Sequence, residues 1–440
     1  MTENPRSAQR RGGSRRDAPN DDGPGVPARR AAMRILDAVL RRGQALEAAL
    51  DPATRGIERG DDRALAHAIA AETLRRLADL DALIDSATRQ NLPDDAKARF
   101  ALRIALVQAL ALGTPPHAAI ATTLPLVDGG PRKLVHGVFG TLMRGHATLP
   151  EVPTLPPTTA LRWQAAWGDA VVEAAARAIA APPPLDLTLA DAEATGRWVE
   201  ETGGISLMPG HVRIAGHSGV REIPGFEEGA WWVQDIAASL PARLIGKSAG
   251  SAIDLCAAPG GKTLQLAAAG WDVTAVDISQ SRLARLHDNL TRTGLAAKVV
   301  TADALAWSPP APADAVLLDA PCSATGIFRR HPDVLHRVRP SVIAEAAALQ
   351  SLLLARAATW VKPGGVLIYA TCSLEPEEGE RQLDRFLTGH ADFTIDPVRD
   401  DELPEGLTPN DGGWLRLLPG ALEAQGGCDG FFIARLRRIG

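Results

Sequence analysis

The sequence predicts an α/β protein in two parts: an all-α N-terminal domain, then a Rossmann-like open sheet of parallel strands reached through a small joining lobe. Three observations lead there. The 440 residues exceed the size of one ordinary domain. Across residues 29–145 apolar side chains recur at three- and four-residue spacing, the period of an amphipathic helix. From Ser251 onward, short apolar runs bounded by turn residues alternate with helical stretches, the order a parallel sheet requires.

Composition removes several classes of function. Hydrophobic residues make up 45% of the chain, enough for ordinary cores, and the formal net charge is −5, so nothing draws the whole chain to a polyanion. Contact with nucleic acid has to come from local basic patches. Cys256, Cys322, Cys372 and Cys428 lie far apart with no C-x-x-C pair. That argues against a zinc site or a disulfide framework, and for reduced thiols in a cytoplasmic enzyme without a metal. The sequence reads as having no signal peptide and no apolar run of bilayer length, so no membrane partner is expected.

Residues 1–28 contain Arg10, Arg11, Arg15 and Arg16 and almost no apolar side chain. Such a segment cannot bury enough surface to fold and reads as a disordered Arg-rich tail. An RNA-touching arm is its functional reading, a solvated terminus the commoner one. In residues 29–145, Ala32, Ile35, Leu36, Val39 and Leu40 form one helical stripe. Leu65, Ile69, Leu74 and Leu77 form another, and Leu134, Val138, Phe139 and Leu142 a third. Asp61-Asp62 reads as a helix N-cap, and Pro115-Pro116 and Gly129-Gly130-Pro131 mark breaks. His67, His117 and His136 are scattered and read as surface or packing residues. Arg75, Arg76, Arg132 and Lys133 are candidates for an RNA patch, against the commoner reading of basic residues on an exposed helical face. Residues 146–230 read as a Pro-rich linker, a helix over 163–180 and a small α/β lobe. Trp231 and Trp232 read as packing beside a sheet rather than as a base-stacking platform.

The second part, residues 231–440, is organised around Asp254-Leu-Cys-Ala-Ala-Pro-Gly-Gly-Lys-Thr263: a short strand, a turn of small residues and the start of a helix. Gly260 and Gly261 let backbone N–H groups approach a ligand, and the helix start adds a partial positive charge. Spacing disposes of two familiar phosphate readers. A P-loop needs its first glycine where Cys256 stands, and G-x-G-x-x-G is missing. What remains is a ligand without a polyphosphate. Asp277 ends the next strand, 273–277, where a carboxylate suits a ribose diol, and Asp303 follows the strand-like Val299-Val300. An adenosine carrying an amino-acid tail, S-adenosylmethionine, meets these conditions.

A nearly all-apolar run over 314–319 reads as a central buried strand, a helix spans 341–360, and a further strand over 365–371 follows the turn Lys362-Pro-Gly-Gly365. Late strands near 415–418 and 431–436 form an antiparallel edge. The strands over 314–319 and 365–371 each deliver a cysteine at their ends: Cys322 after Asp319-Ala-Pro, and Cys372 after Thr371. Ligands of an open parallel sheet bind beyond the carboxyl ends of its strands. Asp319, Cys322 and Cys372 are therefore expected at the same crevice as the 254–263 turn. A thiolate, an acid and a methyl donor together suit methylation of cytosine carbon-5. The thiolate adds to carbon-6 and makes carbon-5 nucleophilic, the acid meets ring nitrogen-3, and a base removes the carbon-5 proton before the thiol leaves. Asp319 is the candidate for the nitrogen-3 contact. On position alone either cysteine can be the nucleophile. Cys322 stands where small amine methyltransferases of this sheet type place a second proline, which argues against amine methylation.

At these residues the chain resembles the Sun/Fmu-type bacterial 16S ribosomal RNA (cytosine-5)-methyltransferases. The matching pieces are Val233-Gln-Asp235, the 254–263 segment, Ala275-Val-Asp277, Asp319-Ala-Pro-Cys-Ser-Ala-Thr-Gly326, Arg330-His-Pro-Asp333, Lys362-Pro-Gly-Gly365, Thr371-Cys-Ser373 and Asp429-Gly-Phe-Phe432, in order across residues 225–436. The helical domain is similar to the NusB fold that this family carries at its N-terminus, on Asp62-Arg-Ala-Leu65 and Thr73-Leu-Arg75. The resemblance implies Cys372 as nucleophile and Cys322 as assisting release of the methylated base. It implies Cys256, Ala257, Ala258, Pro259, Gly260, Gly261 and Lys262 around the methionine part of S-adenosylmethionine. It places Asp277 at the ribose, Asp303 by the adenine and Asp319 between cofactor and base.

The partner it implies is 16S rRNA, read through an unpaired or flipped cytosine, and a monomer is expected. The same chemistry on tRNA, and a non-catalytic RNA-binding or assembly factor, are the alternatives. The chain departs from the family pattern at three places. Leu187-Thr-Leu-Ala190 replaces Leu-Arg-Val-Asn, Gly379 replaces an Asn, and His136-Gly137 replaces Asn-Gly.

Overall fold

The computed structural model describes residues 23–216 and 219–439; Arg10, Arg11, Arg15 and Arg16 lie outside the described residues. The helical domain runs through Val26–Leu40, Leu46–Thr54, Gly60–Arg75, Leu77–Ser86, Lys97–Leu110, Pro116–Thr123 and Gly129–Arg144. Its first helix begins ahead of the boundary expected at residue 29. Val26 and Ala28 are buried on the same stripe as Ala32, Ile35, Leu36 and Val39, so they belong to the core and not to the tail. Lys97–Leu110 is the central helix, buried without a break from Ala98 to Gln108. Arg99 and Arg103 are tolerated inside it because Asp81 lies 3.0 and 2.8 Å from them. Asp61 and Asp62 sit in the first turn of Gly60–Arg75, where they favour the helix dipole; the N-cap is Arg59, so the expected acidic cap is not formed.

The joining segment contains two helices, Pro157–Trp167 and Asp169–Ile179, where one was expected; the chain breaks at Gly168. The lobe is a three-stranded antiparallel sheet of β1 (Leu185–Leu189), β2 (His211–Ile214) and β3 (Trp231–Val233), in the order β2-β1-β3. Trp231 pairs with Leu189, so the boundary read at residue 231 cuts this sheet. Both tryptophans are buried, with their indole N–H groups donating to Pro224 O and Gln234 Oε1 at 2.8 Å.

The main sheet comprises β4 (Ser251–Leu255), β5 (Asp272–Asp277), β6 (Lys298–Thr301), β7 (Ala313–Asp319), β8 (Val361–Thr371), β9 (Phe393–Ile395), β10 (Leu415–Leu417) and β11 (Phe431–Arg438). Its order is β10-β11-β8-β7-β4-β5-β6, with β9 on β11. Strands β4 to β8 are parallel, and β11 runs antiparallel to β8. Lys362-Pro-Gly-Gly365 is not a turn ahead of β8 but a bulge inside it. The pairing jumps from Ala313–Val361 to Ala315–Val366 there. Helix Pro340–Ala358 corrects the expectation that no apolar run reaches bilayer length. Among the described residues it is the one helix long and apolar enough to cross a membrane. Its Leu353, Leu354, Ala357 and Ala358 are buried in one core with β7 and β8.

Order reverses at β4, which lies between β5 and β7, and such a switch point opens a crevice at the carboxyl ends. Register then fixes what faces it. Leu255 pairs with Val276 and Leu318, Asp277 with Thr301, and Asp319 with Ala370. The residues just beyond each pair share one edge of the sheet.

Candidate active site

Past Leu255 the chain turns through Cys256 at φ 60° and Gly260 at φ 110° into helix Gly261–Ala268. The left-handed backbone at Gly260 is one a side chain rarely adopts. Asp277 braces the turn: its two carboxylate oxygens accept from Ala258 N at 3.1 Å and Ser279 N at 2.8 Å. Each oxygen keeps a lone pair for a further donor. The first hydrogen bond within the helix is Leu264 N to Gly260 O, 2.9 Å, so the preceding N–H groups have no partner inside it. Asp254 is fully buried and accepts from Thr263 Oγ1 at 2.5 Å; burial pushes its carboxyl up to about 7. Burial, with Asp319 and Asp277 nearby, pushes the Cys256 thiol up to about 12, which makes it a poor nucleophile. Asp303 is exposed and its Oδ1 caps its own turn at Leu305 N, 2.9 Å. Ile278, 71% exposed beside Asp277, offers an apolar wall that the sequence reading did not single out.

The structure brings the two expected thiols together: Cys322 Sγ and Cys372 Sγ are 3.4 Å apart, both half-buried. Beside them Lys262 Nζ meets Asp319 Oδ2 at 2.7 Å. Burial pulls the lysine's pKa down, but the Asp319 carboxylate outweighs it and the net shift is upward. The bond to Cys372, then burial, holds the Cys322 thiol well above its ordinary value. The loops carrying both sulfurs are stitched by backbone bonds of 2.9 Å, Gly326 N to Cys372 O and Gly430 N to Gly326 O. A Cβ on Gly326 would lie 2.1 Å from Gly430 O, so the approach excludes any side chain there.

The joining helix Pro157–Trp167 holds the same two loops, a role invisible in its sequence. Arg162 Nε and Trp163 Nε1 donate to the buried Glu375 at 2.8 and 3.1 Å. Trp167 Nε1 donates to Leu374 O at 2.8 Å, and Thr159 Oγ1 to Leu335 O at 3.0 Å. A buried charge cluster closes the wall behind. Arg329 meets Asp235 at 3.1 Å and Asp429 at 3.2 Å, and Arg330 also binds Asp235. Burial, with Asp235 beside it, pushes Asp429 up to about 6. These residues of the resemblance cross-link the fold.

Arg75 and Arg76 are not part of an RNA patch. Arg75 donates to Arg329 O at 3.4 Å and Arg76 to Pro150 O at 2.7 Å, and both pair with Glu72, at 3.4 and 2.8 Å. Arg75 docks the helical domain on the loop beyond Cys322, where His336 Nε2 also lies 2.7 Å from Leu74 O, and Arg76 ties it to the joining segment. Arg132, Lys133, His117 and His136 are exposed, and His67 lies 3.6 Å from Glu47. Among the described residues no group of three or more His, Cys, Asp or Glu is placed to hold a metal ion. At Gly379 the missing side chain leaves room for Arg416, whose Nη2 would be 2.2 Å from a Cβ. Arg416 pairs with Glu380 at 2.6 Å and donates to Ser373 O at 2.6 Å, next to Cys372.

Sheet order, the small-residue turn after β4 and the acid ending β5 define a Rossmann-like methyltransferase, with an all-helical domain ahead of it. Residues 26–141 match the NusB family, and residues 244–437 match a family described as 16S rRNA methyltransferase RsmB/F. Ribosomal RNA small subunit methyltransferase B of Cronobacter sakazakii is 34% identical, over 93% of this chain and 98% of the relative. Its counterpart in Klebsiella pneumoniae is 34% identical over the same shares. The solved structure of PH0851 superposes with a TM-score of 0.71 at 25% identity, covering 94% of this chain and 99% of that one. NSun6 from Pyrococcus horikoshii, solved with SFG, shares the fold at a TM-score of 0.56 and 18% identity, over 65% of this chain and 98% of that one. The chain belongs to the RsmB/F family of 16S rRNA methyltransferases, enzymes that methylate RNA cytosine at carbon-5.

Proposed function

We propose that this chain moves the methyl group of S-adenosylmethionine to carbon-5 of a cytosine in 16S rRNA through a covalent adduct on Cys372. The observation that carries this reading is the pair of thiols 3.4 Å apart beside the Lys262–Asp319 ion pair, at the carboxyl edge of the sheet. The residues present fit the cofactor. Asp277 keeps acceptor capacity for a diol, Ile278 offers an apolar face, and the turn over 256–262 presents backbone N–H groups at a helix start. Asp303 stands by for the adenine. When bound, the cofactor supplies an electrophilic methyl group.

The chain's own groups do the rest. The Cys372 sulfur adds to carbon-6 of the base, which makes carbon-5 nucleophilic. Asp319, held by Lys262, meets nitrogen-3, where charge develops. Once carbon-5 carries the methyl group a base takes its proton, the carbon-5–carbon-6 double bond re-forms and the Cys372–carbon-6 bond breaks, returning the thiol; Cys322, 3.4 Å from Cys372, assists that release. The target cytosine reaches the pocket unpaired or flipped. The enzyme acts as a single chain in the cytoplasm. Methylation assays on purified 16S rRNA and on bulk tRNA, with bisulfite sequencing of rRNA from cells with and without the protein, test this. Transfer to tRNA alone, or no binding of S-adenosylmethionine by titration calorimetry, overturns it.

A further inference from the structure

Three carboxylates, Glu375, Glu377 and Glu378, follow Cys372 within six residues, and the third bridges both thiol-bearing loops. Glu378 is fully buried. Its Oε2 accepts from Ser323 N at 2.8 Å and from Gln350 Nε2 at 2.9 Å, and its Oε1 accepts from Ser373 Oγ at 3.0 Å. Ser323 directly follows Cys322, and Ser373 directly follows Cys372. The two serine hydroxyls lie 3.2 Å apart. The backbone carbonyl of Glu378 accepts from Tyr369 Oη at 2.8 Å, which ties the same residue to β8. One carboxylate thus joins two loops that also meet through the serine hydroxyls, through Leu374 N donating to Thr325 Oγ1 at 3.0 Å and through the backbone bond at Gly326. Burial pushes this carboxyl up, which its donors oppose. A buried carboxylate with several donors is costly to remove and precise while it stays.

We infer that Glu378 is the positioning residue that holds Cys322 in reach of the Cys372-bound base, so that its loss impairs release of the product rather than formation of the adduct. This rests on the reaction read above. The asymmetry comes from the donors. Cys372 directly follows β8, whereas Cys322 lies three residues beyond β7 on a loop held on either side of the cysteine by Gln350 Nε2 on Pro321 O, 2.9 Å, and by Glu378 on Ser323 N, with Gln350 itself bonded to Glu378. Without the carboxylate, Ser323 N loses its partner and Gln350 Nε2 keeps only Pro321 O, at 2.9 Å. Gln in its place supplies one acceptor oxygen toward Ser323 and an amide toward Ser373 Oγ, which can accept.

The test uses the full chain with a 16S rRNA transcript and S-adenosylmethionine. Glu378→Ala is expected to accumulate a denaturant-stable protein–RNA adduct, to keep single-turnover methyl transfer within about threefold, and to lose tenfold or more in multiple turnover, the asymmetry a positioned group predicts. Glu378→Gln restores turnover and shows no adduct. If Glu378→Ala does not fold, Glu378→Asp, one methylene short, is judged by the same readouts. Loss of transfer and adduct together, or unchanged turnover, overturns the inference. Cys322→Ala run alongside separates the two levels. An adduct with Cys322→Ala but none with the Glu378 variants refutes the role of Glu378. No adduct with Cys322→Ala refutes the reading of the reaction, and this inference with it.

Discussion

The sulfurs of Cys322 and Cys372 lie 3.4 Å apart, on loops leaving adjacent parallel strands. A single attacking nucleophile does not need a second thiol at that distance; a reaction with separate addition and release steps does. Replacing Cys372 by Ala is expected to abolish transfer of tritiated methyl and to leave no adduct on a denaturing gel. Replacing Cys322 by Ala should leave addition intact and trap the protein on the RNA. Normal transfer by Cys372→Ala is the outcome that sinks the assignment.

Asp319 and Lys262 form a half-enclosed ion pair, with side chains 30% and 10% exposed. Taking away the acid removes both the nitrogen-3 contact and the partner of a buried ammonium. Asp319→Ala is therefore expected to slow methyl transfer by about a hundredfold or more and to destabilise the fold by about 3 kcal/mol. Adding Lys262→Met should recover the melting temperature while activity stays lost. A double variant as unstable as the single one speaks against the uncompensated ammonium as the cause.

Asp254 carries a pH signature. Its folded pKa, about 7, lies above the unfolded value because burial penalises the charge. Between the unfolded value near 4 and 7 the folded state holds more protons, so this group's contribution to stability is full below pH 4 and is lost as pH rises to 7. Asp254→Asn keeps an acceptor for Thr263 Oγ1 and removes the titration. The difference in melting temperature, variant minus wild type, should grow in the variant's favour from pH 5 to pH 8. A difference that stays flat refutes the buried proton.

How much of this was legible beforehand follows from what the sequence encodes locally. Strand polarity is local, so Asp319, Cys322 and Cys372 could be sent to one edge from element order alone, and the register of β7 with β8 puts them there. In helix Lys97–Leu110 the sequence shows one stripe, Leu102, Leu106 and Leu110, whereas the helix is buried all round from Ala98 to Gln108 and has no exposed face to mark its period. Three residues of β3 gave too short a run to assign to a sheet that closes across forty residues. Arg75 and Arg76 read as a basic patch because their partners, Arg329 O and Pro150 O, are backbone atoms far along the chain. Glu375 and Glu378 stand in a run of acids, Leu374-Glu-Pro-Glu-Glu378, that looks solvated. They are buried by partners elsewhere in the chain: Arg162, 213 residues away, for Glu375, and Ser323 for Glu378.

That distant grip gives the last prediction. Glu375 is fully buried three positions after Cys372, and its carboxylate faces Arg162, whose side chain is 21% exposed, and the buried indole of Trp163. Removing the acid leaves a guanidinium and an indole N–H without their acceptor, so Glu375→Ala is expected to cost about 3 kcal/mol. Arg162→Ala leaves the carboxylate bonded to Trp163 only, and the two changes share one interaction. The double variant should therefore be less destabilised than the sum of the singles, by about 1 kcal/mol or more. Calorimetric melting of the four proteins gives the cycle. Activity supplies a second check: Glu375→Ala should lower turnover, because the Cys372 loop loses its outer anchor, while affinity for S-adenosylmethionine stays unchanged. Additive effects within error mean that helix Pro157–Trp167 lies on the cysteine loops without holding them.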